Sequence, residues 1–373
     1  MFMFPANPTR FVLRASTACA LVCGLVTAAP ATATTFCVTD STELQNALAA
    51  AESNGQSDVI EVAEGTYTAP SGGFTYTASA ATDDDTNLEI SGGWFGLGDP
   101  CQGHHSTPFQ TVLDGNGTDR VMHLIVGKQS HVSVRLLTFA GGDAGSGAGG
   151  GLILIAGGDG FAATLTVERD AFVDNSADGD GGLYVGSGQA ASTARIEIIN
   201  NLFSGNHATE GSGAAGLVLV GGAGLDVVSN TVLGSTVDNS LGTGGIAVTV
   251  DDTPVLFVNN NFWDNDEPDV SVFATDTLDF SFMHNNYQQV SPEPTQSEGN
   301  ISVAPQYQST PFDYTPVRNS PLVDAGIAPT QSDSWYLAGF DLNGGDRTVG
   351  QVDIGAYEED VIFRDGFDPV QPL

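Results

Sequence analysis

The chain has 373 residues, with 10 Lys and Arg against 45 Asp and Glu and a formal net charge of −35 at pH 7. Nucleic acids and anionic membrane surfaces are bound through basic footprints that release counterions, so this balance excludes both as expected partners. It also opposes long-range attraction of polyanionic sugars unless a bound cation reverses the local field. A content of 47 Gly and 17 Pro without long helical periodicity suits a corner-rich β protein.

Residues 1–33 read as a secretory signal: Arg10 and Arg14, an apolar stretch from Ala15 to Ala29, and Ala31-Thr32-Ala33 before the expected cut. The apolar stretch is too short for a permanent span, so no membrane span is expected in the mature chain. Removing the segment leaves 340 residues (373 minus 33) and a balance of 8 minus 45, or −37. Cys19 and Cys23 leave with it, and Cys37 and Cys101 remain. In an oxidising compartment a disulfide between them is the favoured reading. The rival, zinc held by Cys101 with His104 and His105, offers one thiolate and two adjacent imidazoles, a poor tetrahedral set.

Residues 34–57 are expected to form an amino-terminal cap. From Asp40 the sequence predicts one amphipathic helix, with Asp40 as N-cap, Glu43 at the reciprocal position, Leu44 and Leu48 on one face, and Asn54-Gly55 at the end. A solenoid needs such a cap to cover its first coil. Strands follow at Val59 to Val62, Leu88 to Ile90, Thr111 to Leu113 and Val121 to Val126, with an insertion at Thr77 to Asn87.

From Val132 to Tyr287 one pattern comes round six times. Its landmarks Phe139, Phe172, Phe203, Val232, Phe262 and Tyr287 lie 33, 31, 29, 30 and 25 residues apart. Seven and five residues before each landmark both positions are apolar, as in Val132 and Val134 or Ile196 and Ile198, with period two between them. Two residues before the landmark stand Asp170, Asn201, Asn230, Asn260 and Asn285. Asn and Asp are poor strand formers, so a fixed column of them calls for a ladder in which each carboxamide bonds to the next, in a side chain that also tolerates a left-handed corner. Asn175, Asn206, Ser235 and Asn265, three after the landmark, suggest a second and weaker ladder. Gly-rich corners such as Gly150-Gly151 and Gly181-Gly182 lie between. Hairpins alternate in direction and would not return the same chemistry at the same offset. The expectation is therefore an all-β right-handed parallel β-helix over residues 58–299.

Residues 300–359 read as a closing segment, and residues 360–373 as a short tail. The β-helix pattern resembles the right-handed parallel β-helix proteins of the pectin lyase-like superfamily, which include polysaccharide-cleaving enzymes and bacterial surface proteins with no known reaction. Asn319 to Gly326, Asp341 to Arg347 and Asp353 to Glu358 resemble the carboxy-terminal module of bacterial choice-of-anchor Q proteins. The tail from Val361 to Asp368 is similar to a short ending of secreted bacterial proteins, with Asp368 where Glu is usual. This resemblance implies a protein that is secreted from a bacterium and held at its surface or released.

Catalytic signatures are thin. The superfamily's hydrolases carry Asn-Thr-Asp, Asp-Asp, Gly-His-Gly and Arg-Ile-Lys elements; here Asp251-Asp252 reads as a solvated turn, Arg195-Ile196-Glu197 has an acid in place of Lys, and no Gly-His-Gly occurs. The superfamily's lyases use Arg or Lys with Ca²⁺, yet Arg169 and Arg195 fall in different columns, and Arg135 with Glu168 one coil on reads as a surface ion pair. The best calcium candidate is Asp174, Asp178 and Asp180 in one Gly-rich corner, although the spacing matches no established calcium loop. Trp94, Trp263 and Tyr184 are candidates for stacking on sugars. The expected function is adhesion or binding of polysaccharide or cell-envelope glycan without catalysis. The alternatives are a calcium-assisted lyase or a glycosidase, and a purely structural envelope protein.

Overall fold

The computed structural model describes residues 33–78, 87–127, 130–157, 160–308, 313–348 and 350–359. Residues 1–32 of the expected signal, the middle of the insertion after Thr77, Lys128 and the tail lie outside the described residues.

Three long sheets run side by side, and the chain visits them in turn. One coil supplies Val132–Arg135 to the first sheet, Thr138–Ala140 to the second and Leu152–Ala156 to the third, and the next coil begins at Thr164–Glu168. The first sheet runs in unbroken order from Thr34–Val38 to Gln296–Glu298, the second from Gly65–Thr68 to Asn261–Trp263, and the third from Phe74–Thr77 to Val290–Ser291. Among the described strands every pairing is parallel except that of Leu88–Phe95 with Gly103–His104. This is a parallel β-helix, and a right-handed crossover is the sense that strand twist favours.

The inward positions of all three sheets make one apolar core from Val38 to Phe282. Landmarks fall in register, Phe139 with Phe172 and Phe172 with Phe203, their rings stacked 5.0 and 4.9 Å apart at 6° and 7°. Burying each such side chain stabilises the fold by about 1.5–3 kcal/mol. The corner glycines are required by the approach of one coil to the next: a Cβ on Gly150 would lie 2.3 Å from the Ser176 carbonyl oxygen, and one on Gly181 2.4 Å from that of His207.

The amino-terminal end closes as expected. Helix Ser41–Ala51 buries Leu44, Ala47, Leu48 and Ala51, and the Thr42 and Glu43 amides donate to Asp40 at 2.8 and 2.9 Å. Glu43 reaches back to the Thr39 amide at 2.8 Å rather than to Asp40 itself. Cys37 and Cys101 form a disulfide, so Cys101 has no free thiolate for the zinc alternative.

The asparagine column is a ladder. The amides of Leu137, Asp170, Asn201, Asn230 and Asn260 each donate to the side-chain oxygen of the ladder residue one coil on, at 2.8 to 2.9 Å, and the Asn285 amide donates to Asn300 at 2.8 Å. Each Asn also donates its Nδ2 to a carbonyl of the previous coil, as Asn230 does to Ile198 at 2.8 Å. The corner itself falls one residue earlier than the ladder: Leu136, Arg169, Asn200, Ser229, Asn259 and His284 take φ between 51° and 59°. The ladder side chains thus replace backbone partners lost at the bend, and their neighbours make the bend. The second ladder runs from Gly142 through Asn175 to Asn206, breaks at Ser235, whose hydroxyl is buried without a partner, and resumes with Ser235 N donating to Asn265 at 3.0 Å.

Residues 313–348 and 350–359 lie against the outside of the coils rather than adding another. Arg347 is fully buried, donates to the Asp353 and Gly355 carbonyls, and lies 3.5 Å from Glu358. Burial pushes Glu358 up to about 8 and Asp353 to about 6 despite that cation. Asp341 accepts from the Gly345 and Glu358 amides at 2.7 and 2.9 Å. Arg347, Asp341, Asp353 and Glu358 are thus engaged within this segment, although Arg347 Nε is buried without a hydrogen-bond partner among the described residues. The segment docks through Asn259, which exchanges bonds of 2.7 and 2.9 Å with Ile327, and through Ala356 N donating to Thr231.

Candidate functional site

The first sheet's outer face carries two columns of side chains. Glu89, Ser133, Thr166, Glu197, Asp226, Leu256, Ser281 and Gln296 follow one another in register, one per coil. Arg135, Glu168, Ile199, Val228, Val258 and Met283 form the adjacent column. This second column turns from charged to apolar at Ile199 because Trp335 and Ala338 pack on Ile199, Val228 and Val258, with Leu337 beside them. The closing segment thereby becomes a wall along one side of a polar track whose steps are the inter-strand spacing of roughly 4.8 Å.

The track deepens into a cleft of about 300 Å³ where Arg195, Asp226, Asp279, Ser281 and Gln296 face Asp333 and Trp335. Residue identity sets this geometry. Arg195 pairs in register with Gly224, and a Cβ there would sit 3.3 Å from the guanidinium, so the glycine leaves room for Arg195 to lie over the next strand. Arg195 then reaches the Asp226 carboxylate through Nη2 and has Nε 3.6 Å from Glu197, which also accepts from Thr166 at 3.0 Å. Burial pushes Asp226 up to about 6, against the lowering effect of Arg195. Asp333, held in a turn by the Thr330 amide and hydroxyl, is shifted below the usual carboxylate range by those bonds. Burial and the carboxylates of Glu168, Glu197 and Asp226 push the Tyr336 hydroxyl upward. The arrangement offers acceptors along an extended line, one fixed cation, and apolar contacts at Leu256, Met283 and Trp335.

Several sequence-derived candidates fall elsewhere. Asp174, Asp178 and Asp180 do not converge: among the described residues, only Asp251, Asp252 and Asp276 bring three such ligand atoms within 4.8 Å of one another. Asp178 accepts from the Thr209 hydroxyl, Asp180 accepts from the hydroxyl and amide of the fully buried Ser212, and Asp174 lies at the rim of a separate groove. Asp174 makes a left-handed corner at φ 52°, and the strand Ser176–Ala177 separates it from the other two. Asp251 ends the strand Ile246–Asp251 half-buried, and Asp252 follows it exposed at φ 46°. Arg135 pairs with Glu89 of the preceding coil rather than with Glu168, whose nearest cation is Arg169 at 3.8 Å. Of the proposed aromatics, Trp94 packs on His104, while Trp263 and Tyr184 are half-buried. A groove of about 440 Å³ on the second sheet is lined by Phe109, Val112, Ala140 and Val173, with Asp114, Thr138 and Asp174 also in its lining.

The cleft was missed because it joins residues 31 apart on consecutive coils to a wall more than a hundred residues away. One signal was present: the position four before the landmark reads Arg135, Glu168, Ile199, Val228, Val258, Met283, and an outward column that turns apolar announces a cover. No protein-family model matches the chain, and no curated protein matches it.

Proposed function

We propose that the chain binds an extended glycan along the outer face of the first sheet, outside the cell, without cleaving it. The observation that carries this reading is the polar track beside the wall at Trp335: hydroxyl, amide and carboxylate groups repeat at a spacing comparable to one sugar unit of an extended chain, and each can accept or donate to sugar hydroxyls. The chain's resemblance to pectin lyase-like and choice-of-anchor Q proteins, and its signal-like first 33 residues, support an extracellular or cell-surface setting. Among the described residues the cleft holds one basic side chain, Arg195, already paired with Asp226, which disfavours a lyase that needs a basic proton acceptor.

A second reading rests on Asp226, whose raised value of about 6 leaves a fraction protonated near neutrality, with Glu197 adjacent in the same column. Such a pair has the makings of a glycosidase acid and base. Affinity electrophoresis of the full chain against a panel of plant, fungal and bacterial glycans, with reducing ends assayed in parallel, separates the readings. Retarded migration without new reducing ends is expected. Steady release of reducing ends that Asp226→Asn abolishes would replace binding with hydrolysis, and no retardation on any glycan would favour a structural envelope role.

A further inference from the structure

The cleft around Asp226 is more negative than its single cation can offset. Asp226, Asp279 and Asp333 line it, and Arg195 is the one cationic side chain there among the described residues. Arg195 is itself matched, by Asp226 through Nη2 and by Glu197 3.6 Å from Nε. Asp279 is exposed, and no hydrogen bond or ion pair among the described residues reaches its carboxylate. Asp226 is only 5% exposed, and among the described residues nothing donates to the carboxylate oxygen that does not hold Arg195. That oxygen is not among the enclosed atoms without a partner, and Asp226 lines the cleft, so a ligand there can donate to it.

These facts discriminate among sugars. A uronate would set its own carboxylate against three others. A neutral sugar can donate hydroxyls but leaves the charge of Asp279 and Asp333 unmatched. A hexosamine with a free amine brings three N–H donors and a positive charge to a site whose one cation, Arg195, is already matched by Asp226 and Glu197. Leu256, Met283 and the edge of Trp335 supply apolar contact for the ring beside it.

Resting on the glycan reading above, we infer that the cleft selects amino sugars lacking the N-acetyl group, with the ammonium facing Asp226, Asp279 and Asp333. The selectivity comes from opposite charge at a partly exposed cleft, so it is expected to weaken with ionic strength.

The test is calorimetric titration of the full chain with a hexamer of β-1,4-linked glucosamine and, separately, with its fully N-acetylated counterpart. The expected result is at least tenfold tighter binding of the amine form at low salt. The preference should shrink at higher salt and fall to near unity in Asp279→Asn, an exposed substitution whose circular dichroism should match the parent. Equal affinity for the two hexamers, or an undiminished preference in Asp279→Asn, would overturn the inference while leaving glycan binding in place. Absence of binding to both hexamers would overturn it as well, and binding to other glycans on the panel would then show that the broader reading stands without it.

Discussion

Asp170 stands at the head of the asparagine ladder, accepting the Leu137 amide at 2.8 Å while its own amide donates to Asn201 at 2.8 Å. The pair performs one task with two chemistries. Asn201 also donates Nδ2 to the Val167 carbonyl, whereas the equivalent oxygen of Asp170, Oδ2, is buried without a partner.

Asp170→Asn is therefore expected to stabilise the fold. Full burial raises the Asp170 carboxyl well above its ordinary value, further raised by Glu168 and opposed by the Leu137 amide, Arg169 and Arg135. The folded state then binds more protons than the unfolded state above pH ~3.9, so the stabilising contribution is full below that pH and is lost as pH rises toward the folded value. Urea unfolding at pH 5 and pH 8 should show the parent losing stability between the two and the variant losing less, with a gain of about 1–3 kcal/mol at pH 8.

Asn230→Ala should be costly. It removes the acceptor of the Asn201 amide and the donor to the Ile198 carbonyl and to Asn260, leaving buried backbone groups on two coils unpaired. A loss of about 3–5 kcal/mol is expected from two or more unsatisfied groups, read as a lower urea midpoint. Ser235→Asn should do the opposite, since it fills the break in the second ladder with the residue found at Asn206 and Asn265; a gain of about 1 kcal/mol is expected.

Asn259→Ala should release the closing segment without unfolding the coils. Its paired bonds to Ile327 are lost, although the Gly355 amide keeps the Asn259 carbonyl oxygen at 2.7 Å. Limited proteolysis should then cut beyond residue 300 sooner than in the parent, with the coils surviving. Equal cleavage rates would show that Trp335 and Ala356 hold the segment alone.

Much of this was legible in the sequence because a solenoid repeats its chemistry. Phe139, Phe172 and Phe203 announce the stack, and Asn201, Asn230 and Asn260 the ladder, since neighbouring coils must present like groups to one another. The corner was misplaced by one residue because Asn200-Asn201 and Asn259-Asn260 put two residues of the same type side by side, one bending the chain and the other bonding across it. The cleft was not legible. Arg195 meets Asp226 only through coil stacking, and Trp335 reaches Val228 only through docking that no local pattern encodes.

Glycan binding should depend on pH through Asp226, which burial pushes up to about 6 against the lowering effect of Arg195, with Glu197 adding to the rise. Lowering the pH from about 7 to about 5 protonates it and removes one acceptor charge. The amines of an amine-bearing glycan gain protons over the same range and pull the other way, so binding by the parent should rise less on acidification than binding by Asp226→Asn, which lacks this titration. Affinity electrophoresis across that range measures both.

Hydroxyl-radical footprinting of the full chain, with and without the glycan that binds best, locates the contact surface most directly. Ligand should protect Met283, Leu256 and Tyr336 on the first-sheet side and leave Phe273, Leu241 and Tyr184 unchanged. Protection centred on Phe273 and Tyr184, or none at any of these six while binding is saturated, would contradict a glycan lying along the first sheet.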